Sequence, residues 1–210
     1  MIKAVLFDFD GTLANTNKLI INSFKHIYSV FCKEDCCEDY IMGTFGEPLL
    51  TTINRDFGKY NIEDVLACYR EYQFSRFNEE VFLYDKVHET LEYFKNKKIV
   101  MGIVTSRMRK STLDAIKNFG IEEYFDVVIS AEDTEKHKPN KEPLIKALNI
   151  LNIKTDEALY VGDSRFDMEC AINAEVTPVL VGWQSNSCQL AEQYNIKYLL
   201  ESMWDLTKII

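Results

Sequence analysis

No apolar run in these 210 residues approaches the roughly 20 that a helix needs to cross a bilayer, so membrane insertion is not expected. The opening MIKAVLFDFDG is likewise too short in apolar length for a secretory leader. Positive charge is scarce: 24 lysines and arginines face 33 acidic residues, a formal net charge of −9. Nucleic-acid binding needs clustered cations to neutralise phosphates, and that class of partner is therefore not expected. A small anion stays compatible if a metal, a lysine or backbone N–H groups supply local positive charge. Low-complexity tracts and internal repeats are missing too. The six cysteines (Cys32, Cys36, Cys37, Cys68, Cys170, Cys188) show no framework spacing, and no second Cys or His pair completes a zinc site around the first three. The expectation is a soluble, cytoplasmic protein with reduced thiols. With no long heptad or apolar stripe to bury against a partner, a monomer is expected.

What is present is an alternation. Short apolar, β-branched runs at 3–8 (KAVLFD), 99–105 (IVMGIVT), 126–130 (DVVIS), 158–163 (ALYVGD) and 177–182 (TPVLVG) read as buried strands. Between them, 87–97, 111–120 and 142–151 carry helical apolar spacing. Strand and helix in turn predict an α/β fold, a parallel sheet with helices on both faces. From about residue 15 to about residue 80 the alternation stops. LIINSFKHIYSVF, EPLLTTINRDFG and IEDVLACYREYQFSRF place apolar residues at intervals of three and four, and Gly43, Gly46, Pro48 and Gly58 punctuate them. The prediction is a core of residues 1–14 and 81–210 with a helical subdomain of residues 15–80 inserted after the first strand. An insertion there would sit over the carboxyl ends of the strands, where open α/β sheets bind ligands.

Four groups of polar residues fall at the ends of predicted strands. The first strand runs into Asp8-Phe9-Asp10-Gly11-Thr12, two carboxylates whose desolvation needs a cation or hydrogen bonds, although Asp and Gly also suit an ordinary turn. The second ends at Thr105-Ser106, hydroxyls able to bind an oxyanion or to cap a helix. Lys138, after the third, precedes a proline that stiffens the chain; a fixed ammonium there could neutralise a phosphate, or simply be solvated. The fourth ends in Gly162-Asp163-Ser164-Arg165-Phe166-Asp167, with Asp163 and Asp167 spaced to share a helix face. Those carboxylates suit either Mg²⁺ or a helix start. Together the four groups supply a nucleophile, an acid, hydroxyls, a cation and metal carboxylates, a complete set for phosphoryl transfer.

In this order, DFDGTL, VTS, HKP and GDSRFD resemble the four motifs of the haloacid dehalogenase (HAD) superfamily, over essentially the whole chain. GTFGEPL, MGIVTSR and ISAEDTEKHKP are most similar to its phosphoglycolate phosphatase-like branch, which also holds pyrophosphatases and sugar phosphatases. The resemblance implies a Rossmann-like core with a helical cap, and a Mg²⁺-dependent phosphatase acting on a small phosphorylated metabolite, a phosphoglycolate-like phosphomonoester, through an aspartyl-phosphate. It implies Asp8 as nucleophile and Asp10 as the group that protonates the leaving oxygen and then activates water. Asp8, the Asp10 carbonyl and Asp163 would hold the metal; Thr105, Ser106 and Lys138 would bind the phosphoryl group; Asp167 would support Lys138 or a metal-bound water. The chain departs from the pattern at Asn140-Lys141 after Lys138-Pro139, and at Asn15, where the motif usually carries Asp. For these roles Asp10 must carry a proton at the moment of attack and Asp8 must not.

Other readings make different demands. Dehalogenation needs no acid at the position of Asp10. A pyrophosphatase or a β-phosphoglucomutase-like mutase shares all four motifs and differs in the cap, the mutase returning isomerised sugar phosphate. A non-enzymatic phosphoacceptor of the response-regulator type needs no helical insert, which a substrate lid explains. His26, His88 and the aromatic run Tyr69, Tyr72, Phe74, Phe77 read as packing. Arg107, Arg109 and Lys110 read as a solvated helix start, or as partners for a substrate carboxylate, and Glu47 could face the site from the cap.

Overall fold

The computed structural model describes residues 1–210. The chain enters through β1 (Ala4–Phe7) and β2 (Ala14–Asn15), then runs through four helices, α1 (Asn17–Ile27), α2 (Glu38–Met42), α3 (Leu49–Phe57) and α4 (Ile62–Glu80), before returning in β3 (Phe82–Leu83). Then follow α5 (Val87–Asn96), β4 (Val100–Val104), α6 (Arg109–Asn118), β5 (Val127–Ile129), α7 (Glu142–Leu151), β6 (Ala158–Gly162), α8 (Arg165–Asn173), β7 (Thr177–Val181), α9 (Ser187–Gln193) and β8 (Tyr198–Leu200). Six strands form one sheet in the order β5-β4-β1-β6-β7-β8. Every pairing in it is parallel, so all six carboxyl ends share one edge.

β1 is the centre of that sheet, and its composition says why. Ala4, Val5, Leu6 and Phe7 are all inaccessible to solvent. A strand buried on both faces needs apolar residues at every position. Alternation sends Val5 and Phe7 into one layer, with Val87, Leu91 and Phe94 of α5, and Ala4 and Leu6 into the other, with Leu144, Ala147 and Leu148 of α7. The chain crosses from β1 outward through β4 and β5 and later resumes at β6 on the other side. The crevice at the carboxyl end of β1 is thus a topological switch point, where such sheets bind ligands.

The helices between β2 and β3 bury a separate core of Phe24, Ile27, Ile41, Ile53, Phe57, Val65, Leu66 and Tyr69. Phe24 and Tyr69 meet edge to face at 5.2 Å, joining α1 to α4. The later part of α4 leans instead on the sheet's own helices, through Phe77 against Phe119 at 5.7 Å. At the two crossings β2 and β3 pair antiparallel, Ala14 with Leu83 and Asn15 with Phe82.

The predicted α/β class, the five strands and the helices of 87–97, 111–120 and 142–151 are all borne out, with end shifts of a residue or two. Not foreseen were the two-residue ribbon of β2 and β3, the single-turn helix α2, helix α9 and the edge strand β8. No helix is long and apolar enough to cross a membrane.

Candidate active site

Asp8 continues β1 by one residue, its N–H donating to the Val161 carbonyl at 2.9 Å. The chain then turns back on itself, with the N–H groups of Thr12, Leu13 and Ala14 all pointing at the Phe9 carbonyl (3.3, 3.0 and 3.1 Å). Gly11, at φ +77°, makes this possible. A Cβ there would lie 2.1 Å from Asp163 Oδ2, so only glycine lets the turn after β1 touch the end of β6.

The floor of the crevice is a buried charge cluster. Lys138, whose peptide bond to Pro139 is cis, sends its Nζ to 2.9 Å from Asp8 Oδ1 and 2.6 Å from Asp167 Oδ1. It also donates to the Tyr160 hydroxyl at 3.2 Å. Burial alone would push the Lys138 ammonium down, but Asp167 and Asp8 more than offset it and hold it above its ordinary value. Asp167 shows the reverse balance. Burial would raise it, yet Lys138 and hydrogen bonds from Ser164 and Tyr160 hold it below the usual carboxylate range. Its Oδ2 accepts from Ser164 N and Oγ (3.0 and 2.6 Å), and Asp167 N points back to Ser164 Oγ at 3.3 Å. Asp167 therefore both caps α8 and fixes Lys138, so the two readings of this carboxylate hold at once.

Asp8 is different. Burial, with Asp167 and Asp10 nearby, pushes it up to about 7 despite Lys138. Its Oδ1 faces the ammonium but makes no directed hydrogen bond. Asp163 is pushed well above the carboxylate range by burial first, then by Asp167 and Asp8. Oxygens of Asp8, Asp163 and Asp167 lie within 4.8 Å of one another. Three buried carboxylates against one ammonium leave uncompensated negative charge, and Asp167 is already saturated. The remaining oxygens of Asp8 and Asp163 are hard donors suited to a small divalent cation.

Along the neighbouring strand, Thr105 is 5% exposed and its Oγ1 accepts from Arg107 N at 3.2 Å. It does not cap a helix, because α6 starts later, with Met108 as its N-cap. Ser106 Oγ donates to the Gly46 carbonyl (3.1 Å), tying the loop before α3 to the core. Gly46 has φ +87°, and a Cβ on it would come within 2.8 Å of Phe166 Cδ2.

Arg107 corrects an expectation. In place of a solvated helix start, its side chain is only 8% exposed and its Nη1 sits 3.0 Å from Asp10 Oδ1. The guanidinium lies between the rings of Phe9 (5.7 Å) and Phe77 (5.9 Å). Arg109 instead pairs with Asp133, and only Lys110, paired with Asp114, is the surface charge expected. Glu47 accepts from Thr52 and Arg55 on the inserted helices, both at 3.0 Å. His26 stacks on Tyr72 and His88 meets Tyr124, as expected of packing residues, whereas Phe74 is 85% exposed.

A cavity of about 920 Å³ lies between the inserted helices and the sheet edge. Asp8, Asp10, Thr105, Ser106, Lys138 and Asp163 all line it, while Asp167 lies behind Lys138. Sequence reasoning brought these together but missed others. Tyr160 sits 2.9 Å from Asp167 Oδ1 and 2.8 Å from the Val104 carbonyl, and its only signal is a hydroxyl in an otherwise aliphatic strand. Gln184 Nε2 reaches Asp163 Oδ2 and the Gly11 carbonyl (both 3.1 Å), while its Oε1 accepts from Asn17 of α1 (3.1 Å). Trp183 Nε1 donates to the same Gly11 carbonyl at 2.9 Å. Their signal was position, just past the strand at 177–182.

This geometry has relatives. The model of the haloacid dehalogenase-like hydrolase family matches residues 5–181. A provisionally named pyrophosphatase PpaX of Caldanaerobacter subterraneus is 39% identical over 209 residues, covering 100% of this chain and 94% of its own. Pyrophosphatase PpaX of Halalkalibacterium halodurans is 35% identical over 209 residues, 100% of this chain and 97% of its own. A haloacid dehalogenase-like family hydrolase from Streptococcus pneumoniae superposes with a TM-score of 0.85 over 99% of this chain and 98% of its own; at 22% identity it shows the fold alone. Motif residues gathered at one sheet edge and a family match spanning most of the sequence lead to one conclusion: the chain belongs to the haloacid dehalogenase-like hydrolases and is a phosphatase of that type.

Proposed function

We propose that this protein is a Mg²⁺-dependent pyrophosphatase that works through a phosphorylated Asp8, with residues 15–80 as a cap over the site. The observation that carries the chemistry is the placement of Asp8: a buried carboxylate at the cavity floor, 2.9 Å from an ammonium that Asp167 holds in place. The choice of pyrophosphate rests on full-length relatives of that name.

Asp8 and Asp163, with the Asp10 carbonyl, would hold the ion. When bound, Mg²⁺ supplies positive charge that offsets the repulsion between a carboxylate nucleophile and a phosphate anion. The side chains do the rest. An Asp8 oxygen attacks phosphorus, the bond from phosphorus to the oxygen of the leaving phosphate breaks, and Asp10 gives that leaving oxygen a proton. Asp10 then takes a proton from a water, which attacks the same phosphorus and frees Asp8. Lys138 balances charge on the transferring group, and Thr105 hydrogen-bonds it. Ser106, tied to Gly46, and Gln184, bridging Asp163 to Asn17, connect closure of the cap with assembly of the site. We place this activity in the cytoplasm and in a single chain.

A second reading is favoured by the cavity. Its volume and the apolar residues Ile20, Phe24, Leu49 and Phe74 in its lining suit a phosphomonoester with a carbon skeleton, either a sugar phosphate larger than pyrophosphate or phosphoglycolate, which is about pyrophosphate's size. Phosphate release from pyrophosphate, phosphoglycolate and sugar phosphates, with Mg²⁺ or EDTA, separates the two. The expected result is turnover that requires metal, is fastest on pyrophosphate and is lost in Asp8→Asn. Undiminished turnover in that variant refutes the nucleophile, and preference for phosphoglycolate or a sugar phosphate selects the second reading.

A further inference from the structure

We propose that Arg107 determines specificity by receiving the negative charge of the leaving group, so that the enzyme favours substrates whose phosphoryl group departs from an anion. This rests on the phosphatase reading above and names the kind of substrate that site selects. A second phosphate fits the position best, and a carboxylate near the ester oxygen shares its chemistry.

Four observations converge on this side chain. First, the Arg107 side chain is only 8% exposed, whereas the other cations lining the cavity, Arg70, Lys110 and Lys117, are exposed and Lys138 is saturated by Asp8 and Asp167. Second, its donors are underused. Nη1 meets Asp10 Oδ1 at 3.0 Å, but the buried Nε has no partner at all. A buried donor without an acceptor is costly, and an incoming oxyanion would satisfy it. Third, the guanidinium packs against the rings of both Phe9 and Phe77, which with the Asp10 contact limits where its fork can point before substrate arrives. Fourth, it touches Asp10, the group assigned to protonate the leaving oxygen. Whatever leaves beside Asp10 leaves beside Arg107.

Contacts divide the cavity floor into two parts. Lys138 and Thr105 face the phosphoryl group that Asp8 captures; Arg107 and Asp10 face the group it departs from. The backbone links them, since Arg107 N donates to Thr105 Oγ1. In the resting state the guanidinium occupies Asp10. An anionic leaving group would share the fork, placing an oxygen on the unpartnered Nε while Nη1 keeps Asp10 beside the leaving oxygen. A neutral alcohol brings no charge for the guanidinium to receive, and the Nε donor stays without an anionic partner.

The test compares kcat/KM on pyrophosphate and phosphoglycolate with kcat/KM on phosphate esters of uncharged alcohols, in wild type, Arg107→Met and Arg107→Lys. Wild type is expected to favour the anionic pair. Arg107→Met should lose roughly 100-fold on pyrophosphate, as when one donor to developing charge is removed, and far less on the neutral esters. Arg107→Lys, which keeps the charge without the fork, should fall between. Equal losses on every substrate would overturn the proposal and leave Arg107 as a residue that only orients Asp10. A wild type that turns over neutral esters as well as pyrophosphate would overturn it without any variant. Turnover confined to phosphoglycolate would remove pyrophosphate as the substrate while leaving Arg107 its role. No phosphate release from any of these compounds would refute the phosphatase reading, and the proposal with it.

Discussion

The floor and the roof of the cavity are built by opposite rules. On the floor, Asp167 is inaccessible to solvent, and both its oxygens are fixed by Lys138, Tyr160 and Ser164. Each group is positioned by at least one other, and removing Lys138 strands the charges of Asp8 and Asp167. On the roof, Phe74 is largely exposed, and the ties to the core are the Gly46 carbonyl, which accepts from Ser106, and Asn17, which donates to Gln184. A floor of this kind specifies one chemistry, and a roof of this kind tolerates change. The reaction type, and the anion that Arg107 would receive, are therefore written in the floor, and the roof is left to vary in what else the cavity admits.

The largest effect expected from this contrast is on stability. Lys138→Met leaves Asp8 and Asp167 buried without their common cation and should destabilise the fold by about 3–5 kcal/mol in urea denaturation, as broken buried pairs do. A loss near that of an exposed pair, about 0.5 kcal/mol, would mean the floor is wetter than its geometry says.

A pH effect comes next. Asp8 lies near 3.8 when exposed and is pushed up to about 7 in the fold. A carboxyl raised on folding binds its proton more tightly folded than unfolded, so its contribution is fully present below the lower value and is lost as pH rises towards the upper one. In EDTA, wild type should therefore lose melting temperature relative to Asp8→Asn between about pH 4 and 7. Mg²⁺ should flatten that difference, and parallel curves in EDTA would contradict the buried-charge account.

Smaller still is Tyr160→Phe. It removes a hydroxyl shared by Lys138, Asp167 and Val104, and about 1–2 kcal/mol of stability should go with it. Phe74→Ala on the roof should stay within about 0.5 kcal/mol of wild type, measured the same way. A larger loss there would erase the contrast.

How much of this was legible in the sequence follows the same divide. The core strands could be read because a strand buried on both faces must be apolar throughout, and Val5 and Phe7 alternating with Ala4 and Leu6 leave no other reading. Asp8, Asp10, Thr105, Lys138 and Asp163 were legible because each follows such a strand. What escaped depends on long-range pairing. The ribbon of Ala14 and Asn15 with Leu83 and Phe82 exists only because the inserted helices bring its halves together. Strand β8 is short, lies at the sheet edge and is only partly buried, so it carries little hydrophobic pattern. Arg107 was misjudged because three cations stand close together and sequence does not say where the helix begins. It begins at Arg109, which leaves Arg107 in the turn, free to point inward.

The most direct test of the central claim is to mix enzyme, Mg²⁺ and excess pyrophosphate, quench in acid within the first turnovers and map the protein by peptide mass spectrometry. One added phosphoryl group on the peptide carrying Asp8, absent from Asp8→Asn, is the predicted result. Phosphate release at full rate with no label on that peptide would show that water attacks the substrate directly, and would contradict Asp8 as the nucleophile.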